Sequence, residues 1–316
     1  MERRRRPTPE EVNAVWNRSA SLVRAHLCVA IEDDMEKVAS VIKMFFDRAW
    51  DDLGARFHQR VLDVSPEQLT GEARAVRGPG AISAMIGLES DGSDFSRPYS
   101  PEAWRQFLDG FDEVPALAWF DIITNDEQGR PDGQGLIVQC KRVGDGERWL
   151  LMQVSGDSFL VEGANQQRFV GFLEAVANHA DPVYGEISWK WEVYPSVLEL
   201  ALGVDPVDVL PRARRVLRGY SWITLLPEEI GNRLGGEAGL NGTGAFVRVK
   251  HLAGGGYLAQ ATECFSQYDE GAAERVYQAL VPVLPPGRPN FWNVHPPNVL
   301  ADRDPAEDRA GRISAY

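Results

Sequence analysis

Residues 218–263 carry the clearest secondary-structure pattern of this 316-residue chain. Tyr220–Leu226 is apolar and rich in aromatic and β-branched residues, which is typical of a strand. Pro227 suits the first turn of a helix because its ring fixes φ, and two glutamates follow where the helix dipole favours carboxylates. Two further apolar stretches, 246–252 and 257–261, are joined by three consecutive glycines, which predicts an antiparallel hairpin. This order constrains the region to an antiparallel sheet that helices can cover.

Strands and amphipathic helices also alternate through the rest of the chain. Apolar residues at three-and-four spacing predict helices over 35–53, 100–111, 165–180 and 269–284. Strands are predicted at 22–31, 57–64, 81–89, 116–124, 134–143, 148–156 and 184–193. This element order predicts an α+β protein with largely antiparallel sheets and helices packed on one face. The elements of 81–180 recur loosely in 184–284, so two similar halves are expected.

Four segments are predicted along the chain. Residues 1–80 are expected to be a basic tail followed by a strand–helix–strand unit. Residues 81–180 form the first α+β half and residues 181–285 the second. Residues 286–316 contain too many prolines for regular structure, which predicts an extended C-terminal tail.

The composition argues against several classes of function. A formal net charge of −13 opposes a general nucleic-acid binder, because phosphate contacts need a basic face. No apolar run approaches the roughly 18 residues of a membrane helix, and no apolar stretch follows Arg3–Arg6 as in a signal peptide. We therefore expect a cytoplasmic protein with no membrane or nucleic-acid partner. Cys28, Cys140 and Cys264 are widely separated, which predicts three buried thiols rather than a disulfide framework.

The motifs of common enzyme classes are missing from the sequence. It has no phosphate-binding loop and no G-x-S-x-G elbow, and its five histidines have no metal-ligand spacing. His26 and His58 lie on predicted neighbouring strands, but their register is open. The sequence thus predicts no catalytic residue, no metal ligand and no cofactor. An enzyme or small-molecule binder, with a site of scattered carboxylates and histidines between the two halves, is the alternative interpretation.

The predicted strand 184–193 alternates almost perfectly between its two faces. Trp189 and Trp191 share one face, and the polar residues on the other face are expected to be solvated. Trp222 is expected on the same sheet face as these tryptophans. Tryptophans are mostly buried in a core, whereas exposed aromatic residues mark interfaces, so both interpretations stand. If this region binds a partner, the candidate residues are Glu186, Trp189, Trp191, Glu192 and Trp222.

Four short motifs resemble a group of bacterial proteins. They are Asp181-Pro182-Val183-Tyr184-Gly185, Gly219-Tyr220-Ser221-Trp222, Leu234-Gly235-Gly236 and the strand Gly256–Glu263. Over residues 165–284 the chain is similar to polymorphic-toxin and type VI secretion immunity families, which are cytosolic α+β proteins. The resemblance implies a non-enzymatic protein that binds and neutralises a cognate protein toxin by surface contact, and it supplies no catalytic residue. The acidic balance of the chain suits a basic toxin, through electrostatic steering.

Overall fold

The chain divides between Ala180 and Asp181 into two compact units. The computed structural model describes residues 22–31, 35–64, 81–90, 93–128, 135–144, 146, 148–189, 196–291 and 299–313. We call residues 22–180 the first unit and the described residues from Asp181 onward the second unit. Within these described ranges, no helix has the length and hydropathy needed to span a membrane.

The first unit is built on an antiparallel sheet. Its described strands are β1 (Val23–Ala30), β2 (Ile82–Ser90), β3 (Ser93–Pro98), β4 (Leu117–Thr124), β5 (Leu136–Val143) and β6 (Trp149–Gly156). Their spatial order is β3-β2-β4-β5-β6-β1, and each neighbouring pair runs antiparallel. Burial alternates along β4, where Ala118, Phe120 and Ile122 face the core. The period of two that predicts a half-buried strand is therefore present in the folded sheet.

Four α-helices are described in the first unit. They are α1 (Met35–Arg48), α2 (His58–Leu62), α3 (Pro101–Asp109) and α4 (Gly163–His179). A π-helical turn, Ala49–Leu53, continues α1. The core between helices and sheet is aromatic, since the ring of Phe46 on α1 lies 5.0 Å from Phe107 and 6.2 Å from Phe120. Burial of such large side chains supplies much of the stability of a core.

The prediction of a strand at 57–64 is wrong. The predicted strand–helix–strand unit in residues 1–80 is therefore wrong as well. Ala55–Phe57 is a 3₁₀ turn that leads directly into α2. Phe57 and Val61 are buried while the residues between them are half-buried or exposed, which is a helical spacing of four. A stretch this short does not distinguish the two periods by sequence alone.

The second unit contains a smaller antiparallel sheet and most of the described helices. Its strands are β7 (Pro182–Trp189), β8 (Ile223–Leu226), β9 (Arg248–His251) and β10 (Tyr257–Gln260), in the order β7-β8-β10-β9. Its helices are α5 (Val197–Leu202), α6 (Pro206–Val209), α7 (Glu228–Arg233), α8 (Gly236–Gly242), α9 (Glu270–Leu280) and α10 (Pro305–Ile313). The predicted strand, short helix and hairpin are confirmed as β8, α7 and β9–β10. The antiparallel strands and the helices of each unit confirm the predicted α+β class.

Two helices of the second unit differ from the sequence expectation. The glycines at 235 and 236 follow the end of α7, as predicted, but the second of them is already the first residue of α8. The C-terminal residues were expected to be extended, and that is wrong for Pro305–Ile313, which is helical. Pro305 stands at the first position of this helix, where its missing N–H costs no hydrogen bond.

Candidate functional site

Glu186, predicted to lie on a partner-binding face, is completely buried on β7. Its Oε2 accepts a hydrogen bond from the Tyr184 hydroxyl at 2.6 Å. Its Oε1 accepts from the Ser188 hydroxyl at 3.0 Å and from the backbone N–H of Val197 at 3.3 Å. The expectation that the polar face of this strand is solvated is therefore wrong for Glu186 and Ser188, because the first residue of α5 approaches them. Glu186 holds β7 and α5 together from inside.

A second buried carboxylate, Glu199, lies on α5. It forms a bidentate ion pair with Arg218, with Nε–Oε1 and Nη2–Oε2 distances of 2.6 and 3.0 Å. Ser196 and Glu199 also form a capping box, and the Ser196 hydroxyl donates to the backbone oxygen of Arg218 at 2.8 Å. Charge-assisted bidentate pairs are among the stronger polar contacts in proteins. This network fixes the chain before β8 against the beginning of α5.

Tyr184 completes the buried network as a neutral donor. Burial raises the pKa of Tyr184 well above its ordinary value of 10.0, and the neighbouring charge of Glu186 raises it further. At Gly219 an added Cβ would lie 2.7 Å from the Tyr184 hydroxyl and 2.8 Å from Ser196 Oγ. The backbone can approach this network so closely only because residue 219 has no side chain.

Two of the three predicted tryptophans meet in one aromatic cluster. Trp189 is half-buried and Trp222 fully buried, and both ring centroids lie 5.2 Å from that of Phe265. The Trp222 indole N–H donates to the backbone oxygen of Thr262 at 2.9 Å. Trp222 therefore belongs to the core, and only Trp189 retains exposed surface. The remaining candidates, Trp191 and Glu192, lie outside the described residues.

Several exposed polar side chains of the second unit meet where α7 begins beside the β9–β10 hairpin. Glu228 accepts hydrogen bonds from the backbone N–H of Gly256 at 2.8 Å, from His251 Nε2 at 2.9 Å and from Asn232 Nδ2 at 3.1 Å. The Gly256 N–H is the main reason that the pKa of Glu228 is lowered, and His251 and Asn232 lower it further. The carboxylate stays 39% exposed although three donors hold it.

Two more carboxylates flank one arginine on the same unit. Arg214 binds Asp181 through Nη2 and Glu229 through Nη1, the second contact at 3.1 Å. Partial burial opposes the charge of Arg214, but the two carboxylates outweigh it and raise the pKa of the guanidinium. Asp181 and Glu229 remain 44% and 51% exposed. We call Asp181, Glu228 and Glu229 the carboxylate surface.

Sequence reasoning did not identify this surface. Pro227 and the two following glutamates predict the start of α7, and the glycine triplet predicts the hairpin beside it. The sequence does not indicate that Arg214 lies beside these elements. Its ion-pair partner Asp181 is 33 residues away, and sequence spacing does not reveal such a contact. The hairpin tip also comes close to Asp181, since an added Cβ at Gly255 would lie 3.3 Å from its Oδ1.

The first unit has an apolar groove that the sequence did not reveal. Its volume is about 440 Å³, and its described lining is Val61, Leu62, Val64, Ala84, Pro98, Tyr99, Ser100 and Pro101. Trp50, on the π-helical turn, is stacked between His58 and Tyr99 with centroid distances of 4.2 and 4.3 Å. Burial, and then the charge of Asp51, raise the pKa of Tyr99. The Leu62 side chain at the groove is 53% exposed.

The four described histidines lie on four different elements, β1, α2, α4 and β9. His58 lies on a helix and contacts the Trp50 backbone oxygen through Nε2 at 2.9 Å, so it does not share a strand pair with His26. Across the part of the chain that is described, no group of three or more His, Cys, Asp or Glu side chains is placed to hold a metal ion.

Comparison with solved structures shows a likeness in fold. The chain is similar to the structure of the Pseudomonas aeruginosa T6SS protein PA0821, with a TM-score of 0.52 and 14% sequence identity. The match covers 84% of this chain and 77% of that one. No protein-family model matches the sequence, and a comparison with curated proteins also gives no match. At this identity the likeness shows that this chain and a T6SS protein share a fold.

Proposed function

We propose that this protein binds and neutralises a cognate toxin by surface contact, without catalysis of its own. The observation that carries the proposal is the carboxylate surface, where three exposed carboxylates are held in fixed positions on the second unit. The sequence resemblance to immunity families supports it, and the fold shared with a T6SS protein is consistent with it.

The geometry of the carboxylate surface suits recognition of a protein. Glu228 is oriented by three donors, and Asp181 and Glu229 are oriented by Arg214. A surface whose side chains are already ordered loses less conformational entropy when a partner binds. Its carboxylates can therefore contact a partner without first being arranged by it.

The electrostatics favour a basic partner. The chain carries a net charge of −13, and the carboxylate surface presents three acidic groups of the same sign. Such a charge distribution accelerates association with a positively charged protein. A toxin that acts on nucleic acid has a basic face of this kind, because it must contact phosphates. Blocking that basic face would neutralise the toxin.

The proposal is tested by mixing the purified protein with the product of its neighbouring gene and measuring complex formation and toxin activity. We expect a complex, and loss of toxin activity in it. The double variant E228K/E229K should slow association about tenfold, because charges at an interface act mainly on the association rate. The double variant E263K/E307K makes the same charge change at two other exposed glutamates and should have little effect.

Two results would contradict parts of the proposal. If no complex forms with the neighbouring gene's product, the proposed function loses its support. If both double variants slow association equally, net charge and not the carboxylate surface governs the encounter.

The apolar groove of the first unit is the one observation that favours the alternative, a small-molecule binder. Its volume of about 440 Å³ lies in the range of ligand pockets, roughly 300–1,000 Å³. Among its described lining residues, Tyr99 and Ser100 supply the polar side chains, and neither a carboxylate nor a histidine is present. The scattered carboxylates and histidines that the alternative requires are thus not at this groove.

A further inference from the structure

The C-terminal residues Val299–Ile313 return to the second unit and pack on α9. Several polar contacts hold them there. Asp308 accepts a hydrogen bond from the Tyr277 hydroxyl at 2.8 Å and pairs with Arg303 at 2.6 Å. Arg309 donates to the backbone oxygens of Val281 and Leu284, at 2.7 and 3.0 Å, just beyond the end of α9. These carbonyls have no partner within the helix, so the arginine serves as their cap.

These residues bury apolar side chains at few positions, and two of them, Leu300 and Ala301, belong to the hydrophobic core of the second unit. Of those whose side chains are described, Leu300, Ala301 and Pro305 are buried and the others are half-buried or exposed. By contrast, α9 buries Ala272, Ala273, Val276, Tyr277 and Leu280. Segments with few buried apolar contacts open locally at a lower free energy than the core that they cover.

We infer that Val299–Ile313 is a strap that opens as one unit while α9 and the rest of the second unit stay folded. Its outer anchors are exposed ion pairs, such as Arg303 with Glu274 at 2.8 Å, which salt screens. Its inner anchor is the backbone N–H of Ala301, which donates to the Tyr220 hydroxyl at 2.9 Å. The inference is independent of the proposed function.

Opening of the strap changes the surface that the second unit presents. Tyr220 and Tyr277, each 1% exposed with the strap closed, lose the contacts made by Ala301 and Asp308. The strap therefore acts as a cover over these two tyrosines.

Native-state hydrogen exchange on the full chain tests the inference, with the Ala301 amide and the α10 amides followed against those of α9. We expect Ala301 and α10 to exchange together and faster than α9. The variant D308A should accelerate this exchange about tenfold, because it removes hydrogen bonds to a charged group, and leave α9 unchanged. The variant E307A makes the same change of charge at an exposed neighbour and should leave both rates unchanged.

Two outcomes would overturn the inference. If the amides of α10 and α9 exchange at one rate and D308A accelerates both, the strap separates only when the whole unit unfolds. If α10 exchanges rapidly while Ala301 stays as protected as α9, only the helix end frays and no strap opens.

Discussion

Arg218 and Glu199 form a bidentate ion pair in the interior of the second unit, where their side chains are 2% and 1% exposed. Removing one member leaves the other charged and buried, so the variant R218M should lower the free energy of unfolding by about 3–5 kcal/mol. Urea unfolding of the full chain measures the loss.

The double variant R218M/E199L is the control for this prediction. It removes both charges and keeps the apolar volume, so much of the lost stability should return. A single variant R218M whose stability stays within about 1 kcal/mol of the wild type would show that the pair is dispensable.

A glycine on α7 determines how closely that helix packs on β10. An added Cβ at Gly231 would lie 2.1 Å from Cδ2 of Tyr257, whose hydroxyl donates to Asn232 at 2.7 Å. The variant G231A should therefore destabilise the protein by about 1–3 kcal/mol, because the ring must move. Thermal unfolding measures the effect.

Gly171 on α4 provides the matched control. It is an exposed helical glycine with nothing within 4 Å of an added Cβ. The variant G171A should stabilise the protein by up to about 1 kcal/mol, the usual difference between these residues inside a helix. Destabilisation by both substitutions to a similar degree would mean that contact with Tyr257 is not the cause.

Buried tyrosines make the protein sensitive to alkali. Burial raises the pKa of Tyr184, Tyr220, Tyr268 and Tyr277 above the ordinary value of 10.0. Their phenols ionise first in the unfolded chain, so the stability that they contribute is complete below pH 10 and is lost as the pH rises above it. Absorbance at alkaline pH should show these phenols ionising together with unfolding, and ionisation of all eight tyrosines before any loss of structure would contradict this.

The three cysteines should differ in reactivity. Cys28 and Cys140 are buried, as predicted, and burial raises the pKa of the Cys140 thiol. The expectation of a third buried thiol is wrong, since Cys264 is half-buried just before a 3₁₀ turn. A thiol reagent should modify Cys264 first and the other two only on unfolding. Rapid modification of all three in the folded protein would be inconsistent with the structure.

The sequence predicted those helices and strands whose determining residues lie within the element itself. Apolar spacing identified α1, α4 and α9, and the proline and glycines around α7 identified β8, α7 and the hairpin, because such signals lie within the element itself. The burial of Glu186 was not predictable, since it depends on Val197, 11 residues away. A strand covered on both faces shows the same polar alternation as one that faces water.

The carboxylate surface could not be predicted from the sequence, for a related reason. Glu228 and Glu229 were recognisable as the beginning of a helix, but the contact of Glu228 with Gly256 spans 28 residues. Sequence spacing does not determine which distant side chains meet. Trp189 and Trp222, which were expected on one sheet face, both contact Phe265, and that residue has no distinguishing sequence context.

The hydrogen bond between Tyr220 and Ala301 has a consequence for how the protein is made. Its two residues are 81 positions apart, so Tyr220 stays uncovered until the ribosome has added Ala301. The first unit, whose last residue is Ala180, has all its described residues much earlier. Because domains fold as they emerge, the second unit is the one that exposes its apolar surface longest and that most needs chaperone protection in the nascent chain.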